Sequence, residues 1–464
     1  MKPLPDTIHD AVSYDASPDD SSDTSGDAMA LRPYWADARP HDATFDARAP
    51  LPKKCDVVIV GAGLTGIEAA RVLAEAGRDV LALDSGRPGA GASTRNGGQI
   101  GRNFKHAFGE LCDTLGEAKA IGYFGELRAA YDALAALGEQ AGDAIGWRKC
   151  SRVIGAMSGA HLTRLTREYE RRARLLGEEI DVLDRTRIAD ELGSPLYLGG
   201  VRVIENGAIH PGLYTEFMLQ RAISAGARVV GHTPVTRMER TRNGFDVHAA
   251  RSVISCRDVL IATNGYTDVC KCDALDWFQQ RLAPINSYMI ATEPLDDATW
   301  HDVLPQRRTY HDNRRRSHFM TFSPDGARLL FGGRTGNDPS MSRRTLAALA
   351  DDLRFIFPKL ADVRITHGWT GRCAGTRDLF PHVGVNPQGM HYALGYCFSG
   401  NAMGPYLARK AAARILDRHD EAQTLFDSTS FPALPLLARN RWTMPVLLNY
   451  YAWADRPKGL ARAI

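Results

Sequence analysis

Gly61, Gly63 and Gly66 stand at the spacing of a phosphate-binding turn, in Gly61-Ala62-Gly63-Leu64-Thr65-Gly66. In such a turn the first glycine permits the tight bend and the second lets the backbone approach a pyrophosphate. The third lets helix and strand pack closely. Spacing alone is weak evidence, so the flanks decide. Before the turn, Cys55-Asp56-Val57-Val58-Ile59-Val60 is a β-branched run of the kind found in buried parallel strands. After it, Ile67 to Ala76 reads as a helix closed by Gly77. Arg78 to Asp84 is a second strand, and Asp84 at its end is placed to accept hydrogen bonds from a ribose diol. Phosphates at the helix start would meet free N–H groups and the positive end of the dipole. The unit predicts a dinucleotide site.

A second segment, Gly91-Ala92-Ser93-Thr94-Arg95-Asn96-Gly97-Gly98-Gln99-Ile100, places small residues beside hydrogen-bonding side chains. That suits backbone lying flat against a ring system, and it equally suits an ordinary Gly-rich surface loop. A third, Ser399-Gly400 at the head of a helix running to Leu416, is a ready anion site. Cys270 and Cys272 form only a C-x-C pair with no second pair at zinc-ligand distance, so no metal site is expected. Arg314-Arg315-Arg316 reads as a solvated charged face rather than an acid clamp.

The elements around these residues are those of an ordinary globular chain. Its 464 residues are 44% hydrophobic and 24% charged, enough for two or three domain-sized units. A net charge of +3 is too weak to argue for nucleic acid as partner, and no apolar run is long enough to span a bilayer. Eight scattered cysteines and the lack of a basic-then-apolar leader fit a reduced, cytoplasmic setting. The first 30 or so residues, rich in Asp, Ser, Thr and Ala, cannot bury enough surface to offset ordering, and residues 1–33 are expected to be disordered. Tyr34-Trp35 begins the first segment with something to bury.

Taken in order, these motifs resemble FAD-dependent oxidoreductases of the D-amino-acid oxidase superfamily. The resemblance is carried by Gly61 to Gly66, Asp84, Gly91 to Ile100 and Ala262-Thr263-Asn264-Gly265. It continues through Gly368-Trp369-Thr370-Gly371, Thr376 with Pro381-His382-Val383-Gly384, and Gly395 to Met403. The Arg95-to-Gln99 segment and the Tyr-containing lead-in look closest to γ-glutamylputrescine oxidase-like proteins. The resemblance implies an α/β plus α+β fold: a Rossmann-type FAD-binding domain with a mixed-sheet substrate domain, of glutathione-reductase-like and D-amino-acid oxidase architecture. It assigns residues 54–110, 196–275 and 364–420 to the FAD-binding domain and 111–195 and 276–363 to the substrate domain, with 421–464 as an extension.

The implied chemistry is oxidation of a C–N bond in an amine or amino acid, by hydride transfer to flavin N5, with oxygen or another acceptor taking the electrons. A glycine or D-amino-acid oxidase or dehydrogenase fits the same motifs, as does a flavin-binding protein without turnover. By the resemblance, FAD would be held by Gly61, Gly63, Leu64, Thr65, Gly66, Asp84 and Ser85. Ala92, Ser93, Arg95, Asn96, Gly97, Gly98 and Gln99 would lie along the isoalloxazine and pyrophosphate, and Val235 by the adenine half. Ser399, Gly400, Asn401, Ala402 and Met403 would present a helix start to the flavin pyrimidine edge. Arg334 and Arg372 sit in Gly-rich segments expected near the flavin, and either could bind a substrate carboxylate bidentately. Tyr288, His318 and Tyr396 could line the pocket or serve as satisfied structural residues.

Three positions depart from the pattern. Asp84 stands where a Glu is usual. Cys373 resembles by spacing the cysteine that monomeric sarcosine oxidases link to flavin, and a buried unreactive thiol is the other reading. Leu330 occupies the place of the lysine with which those oxidases activate oxygen, which leaves room for a dehydrogenase.

Overall fold

The computed structural model describes residues 29–37, 50–312, 314, 317–333, 341–427 and 431–435. Two sheets organise them. The first holds β1 (Lys54–Val60), β2 (Val80–Leu83), β7 (Arg228–Val230), β8 (Val235–Thr241), β9 (Gly244–Ala249), β10 (Ser252–Ile261), β16 (His382–Val385) and β17 (His391–Leu394). The second holds β3 (Gln99–Ile100), β4 (Arg148–Ala156), β5 (Ile180–Leu183), β6 (Gly199–Ala208), β11 (Ala283–Thr292), β12 (Thr309–Asp312), β13 (Phe319–Phe322), β14 (Leu329–Gly333) and β15 (Ile365–Gly375).

In the first sheet the order is β16-β17-β10-β1-β2-β7, with the β8–β9 hairpin attached to β10. β1 lies between β2 and β10, parallel to both, which explains its continuous β-branched run. Both faces are covered, so neither can be polar. Val57 and Ile59 enter one cluster with the helices Leu64–Glu75, Glu117–Ala141, Pro211–Ser224 and Gly400–Ile415, while Val58 and Val60 enter another with β8, β9 and Phe278. Each fully buried side chain of this kind contributes roughly 1.5–3 kcal/mol of burial.

The second sheet runs β15-β11-β14-β13-β12-β4-β6-β3 with β5 on β6, and it is mixed because β12 is parallel to β4 among otherwise antiparallel pairs. One face packs under the helix Arg343–Ile356 through Leu346, Leu349 and Leu353. This is the expected architecture. The chain divides between the sheets differently from the sequence reading, however. β3, β6 and β15, expected with the dinucleotide unit, pair in the second sheet, and the helix Glu117–Ala141, expected with the substrate unit, packs on the first. An apolar run shows that a strand is buried, but its pairing is set by partners far along the chain.

Most of residues 1–33 and of 421–464 lie outside the described residues. At the near end, Ala30 bridges to His367, with Ala30 N–H donating to Thr366 O at 2.8 Å.

Candidate functional site

The glycine turn has three different local causes. Gly61 has φ +99°, and a Cβ there would lie 3.0 Å from the Ala262 carbonyl. At Gly66 a Cβ would come within 1.9 Å of Gly61 O, so this position fixes how closely helix and strand approach. Gly63 faces open space except for Ser93 Oγ at 3.1 Å. The helix that starts there has no side-chain cap, although Leu64 N–H donates to Ser93 Oγ at 3.0 Å. Its opening N–H groups and dipole are thus presented to whatever fills that space.

Asp84 closes the turn from below. Its Oδ2 accepts from Ala62 N–H at 2.8 Å and its Oδ1 from Gly86 N–H at 3.0 Å. Ser85 beside it is exposed, and Val235 opens β8 in the cluster shared with Leu83 and Val230. An uncapped helix start, a glycine facing open space and a carboxylate at the strand end together fit a dinucleotide.

The Gly91–Ile100 segment is a built structure rather than a loose loop. Asn96 is its hub: its Nδ2 donates to Ala92 O (3.1 Å) and Ser93 O (2.9 Å), and its Oδ1 accepts from Gly98 N–H (2.8 Å) and Asn401 Nδ2 (2.9 Å). The last bond ties this segment to the helix start at Gly400. Two indoles hold consecutive carbonyls, Trp369 Nε1 on Arg95 O at 3.0 Å and Trp35 Nε1 on Asn96 O at 2.8 Å. Arg95 donates through Nε to Ala90 O at 2.8 Å, and Gly97 lies against the Phe319 ring. Gln99 Nε2 donates to Met320 O at 2.8 Å. Sequence reading missed the part played by Trp35, which had only one signal, an aromatic pair after a featureless stretch. The segment that carries it is anchored by the Ala30 bridge and by Asp37, whose Oδ2 is 2.8 Å from His367 Nε2.

The helix Gly400–Ile415 also begins without a side-chain cap, because the Ser399 hydroxyl donates instead to Asn103 O at 2.6 Å. Ala402 and Met403 are buried in the core of the first sheet, so backbone rather than side chain is what this turn offers.

Several expected pocket residues are placed elsewhere. Tyr288 faces the core under the helix Arg343–Ile356, because strand alternation turns Met289, not Tyr288, toward Trp35 and Trp369. Tyr396 is buried in the first core, where its hydroxyl donates to Ala393 O at 2.6 Å and takes the Thr65 hydroxyl at 2.9 Å. His318 stacks on Phe331, with ring nitrogens 3.2 Å from Asp312 Oδ2 and 3.1 Å from Asp352 Oδ2. Arg314 is no solvated charge either: it sits on Asp312 at 2.6 Å with only 14% of its side chain exposed. Asp312 is fully buried; burial raises its pKa, but Arg314 and His318 outweigh that and hold it well below the usual carboxylate range. Arg334, with Arg315 and Arg316, lies outside the described residues.

Arg372 pairs through Nη2 with Asp268 Oδ2 at 2.6 Å, tying β15 to the turn at 264–269. We expect Arg372→Ala to weaken folding by about 2 kcal/mol, the loss of a charge-assisted hydrogen bond. Michaelis constants for acidic and for neutral amines should then change alike, and a rise confined to acids would show that Arg372 binds substrate.

Cys373 is half-buried on β15, with Sγ 3.4 Å from Ile285 O. Leu330 clusters with Tyr34, Trp35, Met289 and Trp369, and the buried Thr321 is its cross-strand partner. Burial, with Asp84 nearby, pushes the Cys270 thiol up to about 12, unlike a thiolate ligand. None of the eight cysteines is disulfide-bonded, and no group of three or more His, Cys, Asp or Glu among the described residues could hold a metal. No described helix is long and apolar enough to cross a membrane.

The profile of the DAO family, FAD dependent oxidoreductase, matches residues 56–414. The chain is 28% identical over 404 residues to the probable oxidoreductase OrdL of Haemophilus influenzae, covering 87% of this chain and 92% of that protein. It is 26% identical over 419 residues to the gamma-glutamylputrescine oxidoreductase of Escherichia coli, covering 87% and 93%. The crystal structure of glycine oxidase from Geobacillus kaustophilus superposes with a TM-score of 0.68 at 18% identity, covering 82% of this chain and 99% of that one. With its glycine turn, its tied Gly91–Ile100 segment and two uncapped helix starts inside the matched span, the chain belongs to the DAO family of FAD-dependent oxidoreductases.

Proposed function

We propose that the protein oxidises the C–N bond of an amine or amino acid, in the manner of γ-glutamylputrescine oxidoreductases. The observation that carries this reading is the Gly91–Ile100 segment, bonded to the second sheet, to the helix start at Leu64 and to the helix start at Gly400. It is built to hold a flavin ring between the dinucleotide turn and the second sheet. Bound there, FAD would supply a two-electron acceptor for hydride from the carbon bearing nitrogen.

The chain's own residues bind and orient. Gly61, Gly63, Gly66 and the N–H groups after Gly63 would cradle the pyrophosphate, and Asp84 would take the ribose. Asn96 and the two indoles would fix the ring-facing backbone, and the uncapped turn at Ser399–Asn401 would favour negative charge at the ring's pyrimidine edge. Leu330 places no positive charge where a lysine would activate oxygen, which favours another electron acceptor. A small-molecule substrate, a cytoplasmic location and no nucleic-acid partner complete the reading, in keeping with eight unbridged cysteines and a net charge of +3.

The test is steady-state turnover of the holoenzyme on γ-glutamylated polyamines, sarcosine, glycine and D-amino acids, with a redox dye and with oxygen as acceptors. We expect turnover with at least one C–N substrate, faster with the dye than with oxygen. Hydroxy acids turned over while every amine is ignored would defeat the reading.

A further inference from the structure

Four helices beside the first sheet, Leu64–Glu75, Glu117–Ala141, Pro211–Ser224 and Gly400–Ile415, line a cavity of about 220 Å³ that the flavin reading does not use. Its floor is apolar and buried: Leu134, Met218, Ala402 and Pro405, with the Tyr214 ring among them. Its rim is basic. Arg71, Arg221 and Arg409 line it from three of the helices, beside the carboxylate of Glu68. Glu68 is 2% exposed and already taken: Arg71 donates to both its oxygens at 2.8 Å, and Arg409 donates to Oε1 at 3.0 Å. Glu75 accepts from a further Arg71 nitrogen at 2.6 Å. Arg221 has no share in this network. It lies 5.9 Å from the centre of the Phe217 ring and makes no ion pair among the described residues. The rim thus carries a guanidinium that neither carboxylate neutralises. A cationic rim over an apolar floor favours an anion carrying an apolar chain, which neutralises the one and covers the other.

The cavity also reaches the helix start at Gly400. Pro405 stands inside that helix and has no N–H for the Asn401 carbonyl, four residues back. The Tyr214 hydroxyl donates to that carbonyl instead, at 3.4 Å. Burial, then Glu68, raises the Tyr214 pKa, so the hydroxyl keeps its proton for this bond. The Asn401 side chain in turn donates to Asn96, the hub of the Gly91–Ile100 segment. Tyr214 and Pro405 both line the cavity, so whatever fills it touches the turn that would face the flavin.

We propose that this cavity is a second ligand site, for a small anion with an apolar chain, and that its occupancy is felt at the flavin through Tyr214 and Asn401. The anionic head, carboxylate or phosphate, lies by Arg221, and the chain lies over Leu134, Met218 and Pro405. The site does not depend on which substrate is oxidised. Only its link to the flavin rests on the cofactor placement given above.

Holoenzyme is titrated calorimetrically with butyrate, hexanoate, hexyl phosphate and hexanol, and the flavin's visible spectrum is followed to saturation. Wild type should bind hexanoate or hexyl phosphate about 10-fold more tightly than hexanol, and the tighter of the two names the head group. Each methylene added between butyrate and hexanoate should tighten binding about 4-fold. Arg221→Gln should weaken the anions about 10-fold and leave hexanol unchanged. Ala133→Phe, at an exposed rim position, should block all of them. Saturation should shift the spectrum of wild type, and shift that of Tyr214→Phe much less. The site is overturned if neither anion binds wild type, or if both rim variants bind as wild type does. A spectrum unmoved at saturation overturns the link to the flavin. Anion binding that follows the rim variants, with no amine oxidised, would sink the C–N reading and leave this site standing.

Discussion

Gly66→Ala should yield a protein that purifies without flavin. The added Cβ would sit 1.9 Å from Gly61 O and 3.1 Å from Gly61 C, and both are backbone atoms that cannot rotate away. Relief requires moving the turn off the helix, which costs about 3 kcal/mol and displaces the N–H groups proposed to cradle the pyrophosphate. FAD affinity should fall on the order of 100-fold, the equivalent of that cost. Gly77→Ala is the control. Gly77 also has a positive φ, +78°, but a Cβ there meets nothing within 4 Å. It should lose about 1 kcal/mol of stability and keep its flavin. The ratio of flavin to protein absorbance, followed by fluorescence titration of the apoprotein with FAD, decides between them. A fully loaded Gly66→Ala protein would mean that the turn does not hold the cofactor.

The second large effect concerns Asp312. Its carboxylate takes Arg314 at 2.6 Å and the His318 backbone N–H at 3.2 Å, with none of its side chain exposed. Asp312→Ala strands a buried guanidinium and should destabilise the fold by about 3–5 kcal/mol. Its pKa is depressed in the folded state, so its contribution is fully present above the unfolded value of about 3.9. As pH falls below about 4 that contribution is lost progressively, down through the folded pKa. Denaturant unfolding of wild type and Asp312→Asn across pH 3 to 7 should converge toward the acid end (pH values on the order of the unfolded carboxylate range). Parallel curves would show that Asp312 is not the linked group.

The dinucleotide unit was legible because every part of its signal is local. β1, the turn, the helix Leu64–Glu75 and Asp84 form one continuous stretch, and each residue's role follows from spacing and glycine geometry. Pocket residues were not legible for the opposite reason. Whether Tyr288 or Met289 faces Trp35 and Trp369 depends on one residue of strand register, and periodicity is the same for both choices. Arg314 looked like a surface charge because the run Arg314-Arg315-Arg316 carries no sign of Asp312 turning back onto it. Trp35 escaped notice because what singles it out is a partner at long range: Asn96 is 61 residues from Trp35.

The most direct test of the account is an anaerobic titration of the yellow holoenzyme with its best amine substrate. The account predicts that an equimolar amount bleaches the flavin completely, with release of one carbonyl product for each flavin reduced. Flavin that stays yellow with every amine and amino acid offered, while a substrate lacking nitrogen reduces it, would contradict the account.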